Sequence, residues 1–175
     1  MNNKNKTFFF ARVFADTNLY KVSISDDQKF RYGAEVIINT EFGQDLAVIT
    51  GWKTEHEQDK TKSYVSGALI RYATQEDKIK RKVLDKKSIS IKAQINTLID
   101  EFKLKMNLTH VLIPLSDDSI CIYYTASNRV DFRNLLTEVR NQYKVKITFK
   151  HINYKERRSS FLFSSDLSLY NHVSF

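Results

Sequence analysis

The chain has 175 residues and a mass of 20.5 kDa, the length of one ordinary domain or two small ones, and enough to bury a core without disulfides or a structural metal. Its 28 Lys and Arg against 20 Asp and Glu give a net charge of +8, which favours a polyanionic partner such as nucleic acid or an anionic membrane surface. An aromatic content of 13% excludes overall disorder, and the lone Cys121 excludes an intramolecular disulfide or a four-cysteine metal site.

The elements follow in chain order. Residues 7–14 are rich in β-formers, and residues 19–24 alternate after the turn-like Asp16-Thr17-Asn18. Residues 34–40 form a β-branched run, residues 41–44 read as a hairpin turn, and residues 46–50 as the return strand. Polar residues 53–62 read as a loop before a further strand at 64–72. Short strands at this spacing predict a small β-barrel, which leaves no open sheet edge. Thr74 with Asp77 three residues on is a variant capping box that opens a long helix. Its predicted buried stripe is Ile79, Val83, Ile91, Ile95, Leu98, Ile99 and Phe102, with Ser88-Ile89-Ser90 as a possible break. Residues 108–115 and 120–125 read as a hairpin joined by the polar turn 116–119. Residues 130–143 form an amphipathic helix with Phe132, Leu135, Leu136 and Val139 on one face. Residues 145–150 alternate strictly, which predicts a half-exposed strand with lysines on its solvent face. The predicted fold is α+β: a small β-barrel over residues 1–73, an α-β-β-α-β unit over 74–158, and a tail over 159–175.

Catalytic and metal patterns do not emerge. The histidines at 56, 110, 151 and 172 lack the four-residue spacing that sets two ligands on one helix face. No Gly-rich phosphate loop or nucleophile elbow is present. No catalytic residue, metal or cofactor is therefore expected. Asp117-Asp118 reads as turn chemistry, and Cys121 between Ile120 and Ile122 as a structural thiol. No apolar run is long enough for a signal peptide or a membrane span, so the expected location is the cytoplasm and the sequon Asn107-Leu108-Thr109 carries no role.

The charge is concentrated. Lys78, Lys80, Arg81, Lys82, Lys86, Lys87 and Lys92 form one window, and Arg140, Lys144, Lys146, Lys150, Lys155, Arg157 and Arg158 another. Together they hold half of the 28 basic residues. Clustered cations suit a phosphate backbone, because each neutralised phosphate releases a counterion. Tyr143, His151 and Tyr154 lie among the second group, where a ring can stack on an unpaired base. The plainer readings are a solvated helix face and an edge strand kept soluble by lysines.

The stretch Tyr123-Tyr124-Thr125-Ala126-Ser127-Asn128-Arg129-Val130-Asp131-Phe132-Arg133-Asn134-Leu135 resembles the signature of the polymerase-suppressor (PSP-one) C-terminal domain family, in which an aromatic strand and Thr-Ala precede Arg-Val-Asp-Phe-Arg. Thr40-Glu41-Phe42-Gly43 resembles the family's Thr-Glu-Arg-Gly hairpin, and Arg71-Tyr72-Ala73-Thr74 with Asp77 resembles its entry to the helix. Leu104-Lys105-Met106 and the strand from Lys146 are similar as well, so the likeness covers roughly residues 8–158. Departures are Asp117, Asp118 and Ser119 in place of Gly-Ser-Lys, and Asn153 in place of Gly. Members of the bacterial YaaT/RicT type continue with a cysteine-containing segment linked to iron–sulfur binding. Here Arg157-Arg158-Ser159-Ser160-Phe161 follows without a cysteine, so the cluster role does not carry over.

The resemblance implies a cytoplasmic, non-catalytic protein. Some relatives form a complex that helps an endoribonuclease mature messenger RNA, and others are nucleic-acid-binding. The expected partners are RNA and/or DNA, with a protein–protein adaptor associated with a ribonuclease as the alternative. Asp131 is placed to accept backbone N–H bonds at a helix start. Arg129 and Arg133 either pair with acids of the same domain or contact phosphate.

Overall fold

Alternation in the first part of the chain closes five strands into a barrel, and the long helix then leads into a three-stranded sheet. The structure is a computed structural model that describes residues 7–13, 19–23, 30–54 and 65–152. The turn expected at Asp16-Thr17-Asn18, most of the loop after residue 54, the positions Asn153, Tyr154, Lys155, Arg157 and Arg158, and the tail 159–175 lie outside the described residues.

The barrel strands are β1 (Thr7–Val13), β2 (Leu19–Ser23), β3 (Glu35–Thr40), β4 (Gly43–Thr54) and β5 (Val65–Tyr72). They close in the order β1-β2-β5-β3-β4, with β2 and β5 parallel and the other pairs antiparallel. Phe9, Ala11, Val13, Tyr20, Val22, Val36, Ile38, Ala47 and Ile49 fill the interior at alternate positions. The return strand β4 is longer than residues 46–50, because its pairing extends to Gly43 at the hairpin tip and along β1 as far as Thr54.

Helix α1 (Gln75–Glu101) follows, capped by the expected box: Asp77 N donates to Thr74 Oγ1 at 3.3 Å and Thr74 N donates to Asp77 Oδ2 at 2.7 Å. The helix does not break at Ser88-Ile89-Ser90, where Ser88 Oγ donates to Asp85 O within the helix at 2.7 Å. Its buried face differs from the predicted stripe. Arg81, Leu84, Ile91, Ile95 and Ile99 point inward, whereas Ile79 and Val83 are exposed and Phe102 forms the C-cap. With about 3.6 residues per turn, positions two residues from Arg81 fall on the far side of the helix.

The sheet has the order β6-β7-β8, from β6 (Asn107–Leu112), β7 (Ser119–Thr125) and β8 (Lys146–His151). β6 and β7 form the expected hairpin, and β8 joins β7 in parallel. β6 stops before Pro114, which has no N–H for the ladder. Helix α2 (Arg133–Tyr143) starts three residues later than residue 130, and Leu135 and Val139 are its buried face. The α+β class and the barrel-then-helix order agree with the sequence pattern. Among the described residues no helix is long and apolar enough to cross a membrane.

The hairpin β3–β4 joins the two halves. Ile37 and Leu46 point out of the barrel into the core formed by α1, α2 and the sheet. At the tip Gly43 has φ +132°, and a Cβ there would run into Ser116 Oγ, so glycine is required. Ser119 Oγ donates to Phe42 O at 2.7 Å. Beneath the tip lies Arg81, 6% exposed, whose Nη1 donates to Asp45 Oδ1 at 3.0 Å and to Ile113 O at 2.7 Å, and whose Nε donates to Asp85 Oδ1 at 2.9 Å. Burial raises the Asp45 carboxyl to about 6, although the Arg81 charge and the Leu46 N–H pull it back.

Arg81→Ala leaves the Asp45 carboxylate buried without its counter-charge and should cost about 3–5 kcal/mol at pH 7. A raised carboxyl binds its proton more tightly in the folded state. Its contribution is therefore fully present below the ordinary 3.8 and lost as pH rises through about 6. The Arg81→Ala deficit should accordingly shrink at acid pH and be partly restored by Asp45→Asn. Urea denaturation of the single and double variants checks this, and a double variant no more stable than Arg81→Ala alone would contradict it.

Candidate nucleic-acid interface

The helical window of basic residues does not survive as one patch, because the turns of α1 distribute it around the axis. Arg81 is buried and committed to Asp45, Asp85 and Ile113, so it leaves the set of residues expected to contact nucleic acid. Lys78 pairs with Glu35 of the barrel, and Lys87 with Asp117 at 2.9 Å. Lys92 donates to the carbonyl of Thr109. Lys80, Lys82 and Lys86 are exposed and have no ion-pair partner among the described residues.

The second window is also divided. Arg140 lies in the last turn of α2, Lys144 caps it in the left-handed conformation with φ 49°, and Lys146 opens β8. These three are exposed and carry no ion pair among the described residues. Lys150 shares the Lys146 face of β8 but reaches the barrel. Its Nζ is 3.1 Å from Glu41 Oε1 and sits 5.3 Å from the centre of the Phe42 ring. Tyr143 is half-buried and donates its hydroxyl to Gln94 of α1, so it is a packing group instead of a stacking platform. His151 points to the opposite face of the sheet from Lys146 and Lys150, as period-two alternation requires.

That opposite face carries the most site-like geometry. The parallel register sets His151 beside Tyr124 at the ends of β8 and β7, with ring centres 5.3 Å apart. Phe132 stacks on Phe149 at 4.9 Å, and Tyr124 meets Phe132 edge-on at 5.7 Å. His151 Nε2 lies 3.4 Å from the carbonyl of Ala126. The segment 126–132, between β7 and α2, curves around these rings. With Tyr124, Phe132 and His151 it lines a groove of about 1070 Å³ that also includes Arg129, Asp131 and Arg133.

Asp131 Oδ1 accepts from Arg133 N at 3.2 Å, and its carboxylate takes Arg133 Nε at 2.9 Å and Nη2 at 2.6 Å. These hydrogen bonds hold the Asp131 carboxyl down at about 2, with the nearby Arg129 charge a smaller cause. The helix begins at Arg133 with Phe132 as N-cap, so Asp131 serves the helix start from one position further out than a cap. Arg129 is exposed on the groove rim and has no ion pair among the described residues. A smaller hollow of about 270 Å³, lined by Phe102, Leu104 and Asn134, lies on the other side of the Asp131–Arg133 pair.

Several signature residues are structural. Arg71 Nη2 donates to Asp77 Oδ1 at 3.0 Å and so ties the last barrel strand to the α1 cap. This bond, with the Thr74 N–H, holds the Asp77 carboxyl well below the usual carboxylate range. Thr125 ends β7 opposite Asn107, and Ala126, Val130 and Phe132 pack against the main core. Sequence reasoning grouped His151 with the β8 lysines and did not single out Tyr124. The signal that relocates His151 is its odd position in an alternating strand, while the pairing with Tyr124 depends on a register that spacing does not reveal.

The Asp131–Arg133 pair yields a direct pH expectation. A lowered carboxyl contributes to the folded state above the ordinary 3.8, and the contribution fades as pH falls toward about 2. Carbon-detected NMR titration of the Asp131 side chain should give a midpoint near 2. A midpoint at or above the ordinary value would mean that the pair does not form in solution.

No curated protein and no solved structure matches the chain. A family model does match, the PSP1 C-terminal conserved region, over residues 67–152. That span starts within β5 and takes in the Arg71–Asp77 cap, Arg81 with Asp85 but not Asp45, the three-stranded sheet and the groove. The match covers just under half of the chain and supports placing this segment in the PSP1 C-terminal conserved region family.

Proposed function

We propose that the protein is a non-catalytic, nucleic-acid-binding regulatory protein of the cytoplasm that takes RNA and/or DNA strands along the α2–β8 side of the sheet. The observation that carries this reading is the groove in which exposed Arg129 and Arg133 frame Tyr124 and His151. An arginine rim beside aromatic rings suits an unpaired base stacked on a ring with its phosphate at the guanidinium. Lys144 and Lys146 at the start of β8, with Arg140 in the last turn of α2, form a second cationic patch at the other end of β8 from the groove, and Lys80 and Lys86 add charge on α1. The proposal includes a YaaT/RicT-like bacterial member that lacks the cysteine-containing segment, and the Arg129-Val130-Asp131-Phe132-Arg133 signature supports the family as a whole. The adaptor alternative, in an RNA-processing complex with an endoribonuclease, draws on the apolar side chains that α1 leaves exposed.

Binding through several phosphates weakens steeply between about 50 mM and about 200 mM salt. Fluorescence anisotropy with single- and double-stranded RNA and DNA should show that loss, with single strands favoured. Arg129→Glu and Lys146→Glu should each weaken binding and flatten the salt slope by about 1. Tyr124→Ala should weaken single-strand binding by about 1–3 kcal/mol if a base stacks there. No binding at low salt, or binding indifferent to both charge reversals, would sink the proposal. Lys150→Glu is the poorer test, because it sets two acids together against Glu41.

A further inference from the structure

Helix α1 has a second apolar stripe, on the side away from the core. Ile79, Val83 and Ile89 are 55%, 59% and 70% exposed. All three are β-branched, so they lose side-chain freedom in a helix while more than half of each stays exposed. Isolated exposed apolar residues are ordinary, but these form a series. Ile79 and Val83 are four apart, Lys82 and Lys86 are four apart, and Ile89 follows Lys86 by three, so all share one surface over three turns. Lys82 and Lys86 are exposed and have no ion-pair partner among the described residues.

We propose that this Ile79–Val83–Ile89 stripe, with Lys82 and Lys86 set into it, is a docking surface for an acidic amphipathic helix of another protein. Ridges at four-residue spacing are the shape that a second helix packs against. The embedded lysines call for Glu or Asp beside the partner's apolar residues. A second copy of the chain fits poorly: the antiparallel register that brings Ile79 against Ile89 also brings Lys82 against Lys86. Membrane-surface helices use Trp, Phe and Leu on the apolar face and keep their cations on the polar one. Here the apolar side chains are short and the cations lie within the stripe. A phosphate backbone offers nothing to three apolar side chains. The surface lies on a different element from the groove and deepens the adaptor reading; it shares only Lys86 with the charge assigned to nucleic acid, so the uncharged Ile79→Gln variant tests it separately.

The test uses the full-length chain and two labelled helical peptides with the same leucine stripe, one flanked by glutamates and the other by lysines. The acidic peptide should bind at least about tenfold more tightly than the basic one. Val83→Asp, and separately the milder Ile79→Gln, should each reduce its affinity by about tenfold. Lys82→Glu with Lys86→Glu should reverse the peptide preference. Circular dichroism guards against loss of the helix, and single-stranded RNA binding should not change in the uncharged Ile79→Gln variant. Equal binding of both peptides, or no binding of either, overturns the proposal. So does Val83-dependent binding to phosphatidylglycerol vesicles in preference to the acidic peptide, or a Val83-dependent dimer in light scattering.

Discussion

One buried cation organises the molecule. The Arg81 guanidinium takes acceptors from three separate places: Asp45 on the barrel hairpin, Asp85 one turn along the helix, and the Ile113 carbonyl just past the end of β6. The planar fork fixes the directions of its N–H groups, so it holds all three acceptors in set positions, which the compact, rotatable ammonium of a lysine does not. Desolvating the charges is expensive, so this arrangement adds geometry more than net stability. It fixes the barrel hairpin against α1 and the sheet. The hairpin tip then follows, with Gly43 pressed on Ser116 and Phe42 edge-on to Tyr123.

That constraint decides which charged residues remain for a partner. Arg81, Lys78, Lys87 and Lys150 all join the barrel hairpin, the helix and the sheet turn to one another. The same holds for Arg71 with Asp77, which fastens the last barrel strand to the helix cap. What is left open is a different set: Arg129 on the groove rim, Arg140, Lys144 and Lys146 near the start of β8, and Lys80, Lys82 and Lys86 on α1. The groove forms because β7 and β8 end side by side and the segment 126–132 must loop over their ends to begin α2.

Much of the fold was legible in local pattern. β-former content and β-branched runs, with alternation at residues 19–24, gave β1 to β5, the Thr74–Asp77 pair gave the helix start, and polar residues 116–119 gave the sheet hairpin. The failures share a physical origin. The inward face of α1 is set by Arg81, which reads as a solvent residue until Asp45 and Ile113 are brought to it. The helix runs through Ser88-Ile89-Ser90 because long-range packing of Ile91 and Ile95 outweighs weak propensity. The candidate site was half legible. Arg129 and Arg133 stood out, whereas the meeting of Tyr124 with His151 comes from a parallel pairing that no local spacing encodes.

Strand β3 is the wall shared by two cores. Val36 and Ile38 face the barrel interior, while Ile37 faces the helices. All three are β-branched aliphatics of similar size, so the middle of the strand does not by itself distinguish the two faces. Its ends do: a slip of one residue would bring Glu35 or Asn39 to a barrel-interior position. The neighbouring strand adds a second safeguard, because a shifted β4 would carry the Asp45 charge away from Arg81 and the Gly43 turn away from its seat on Ser116. A polar contact and a missing side chain thus act as a proofreading step beside the strand's own polar ends.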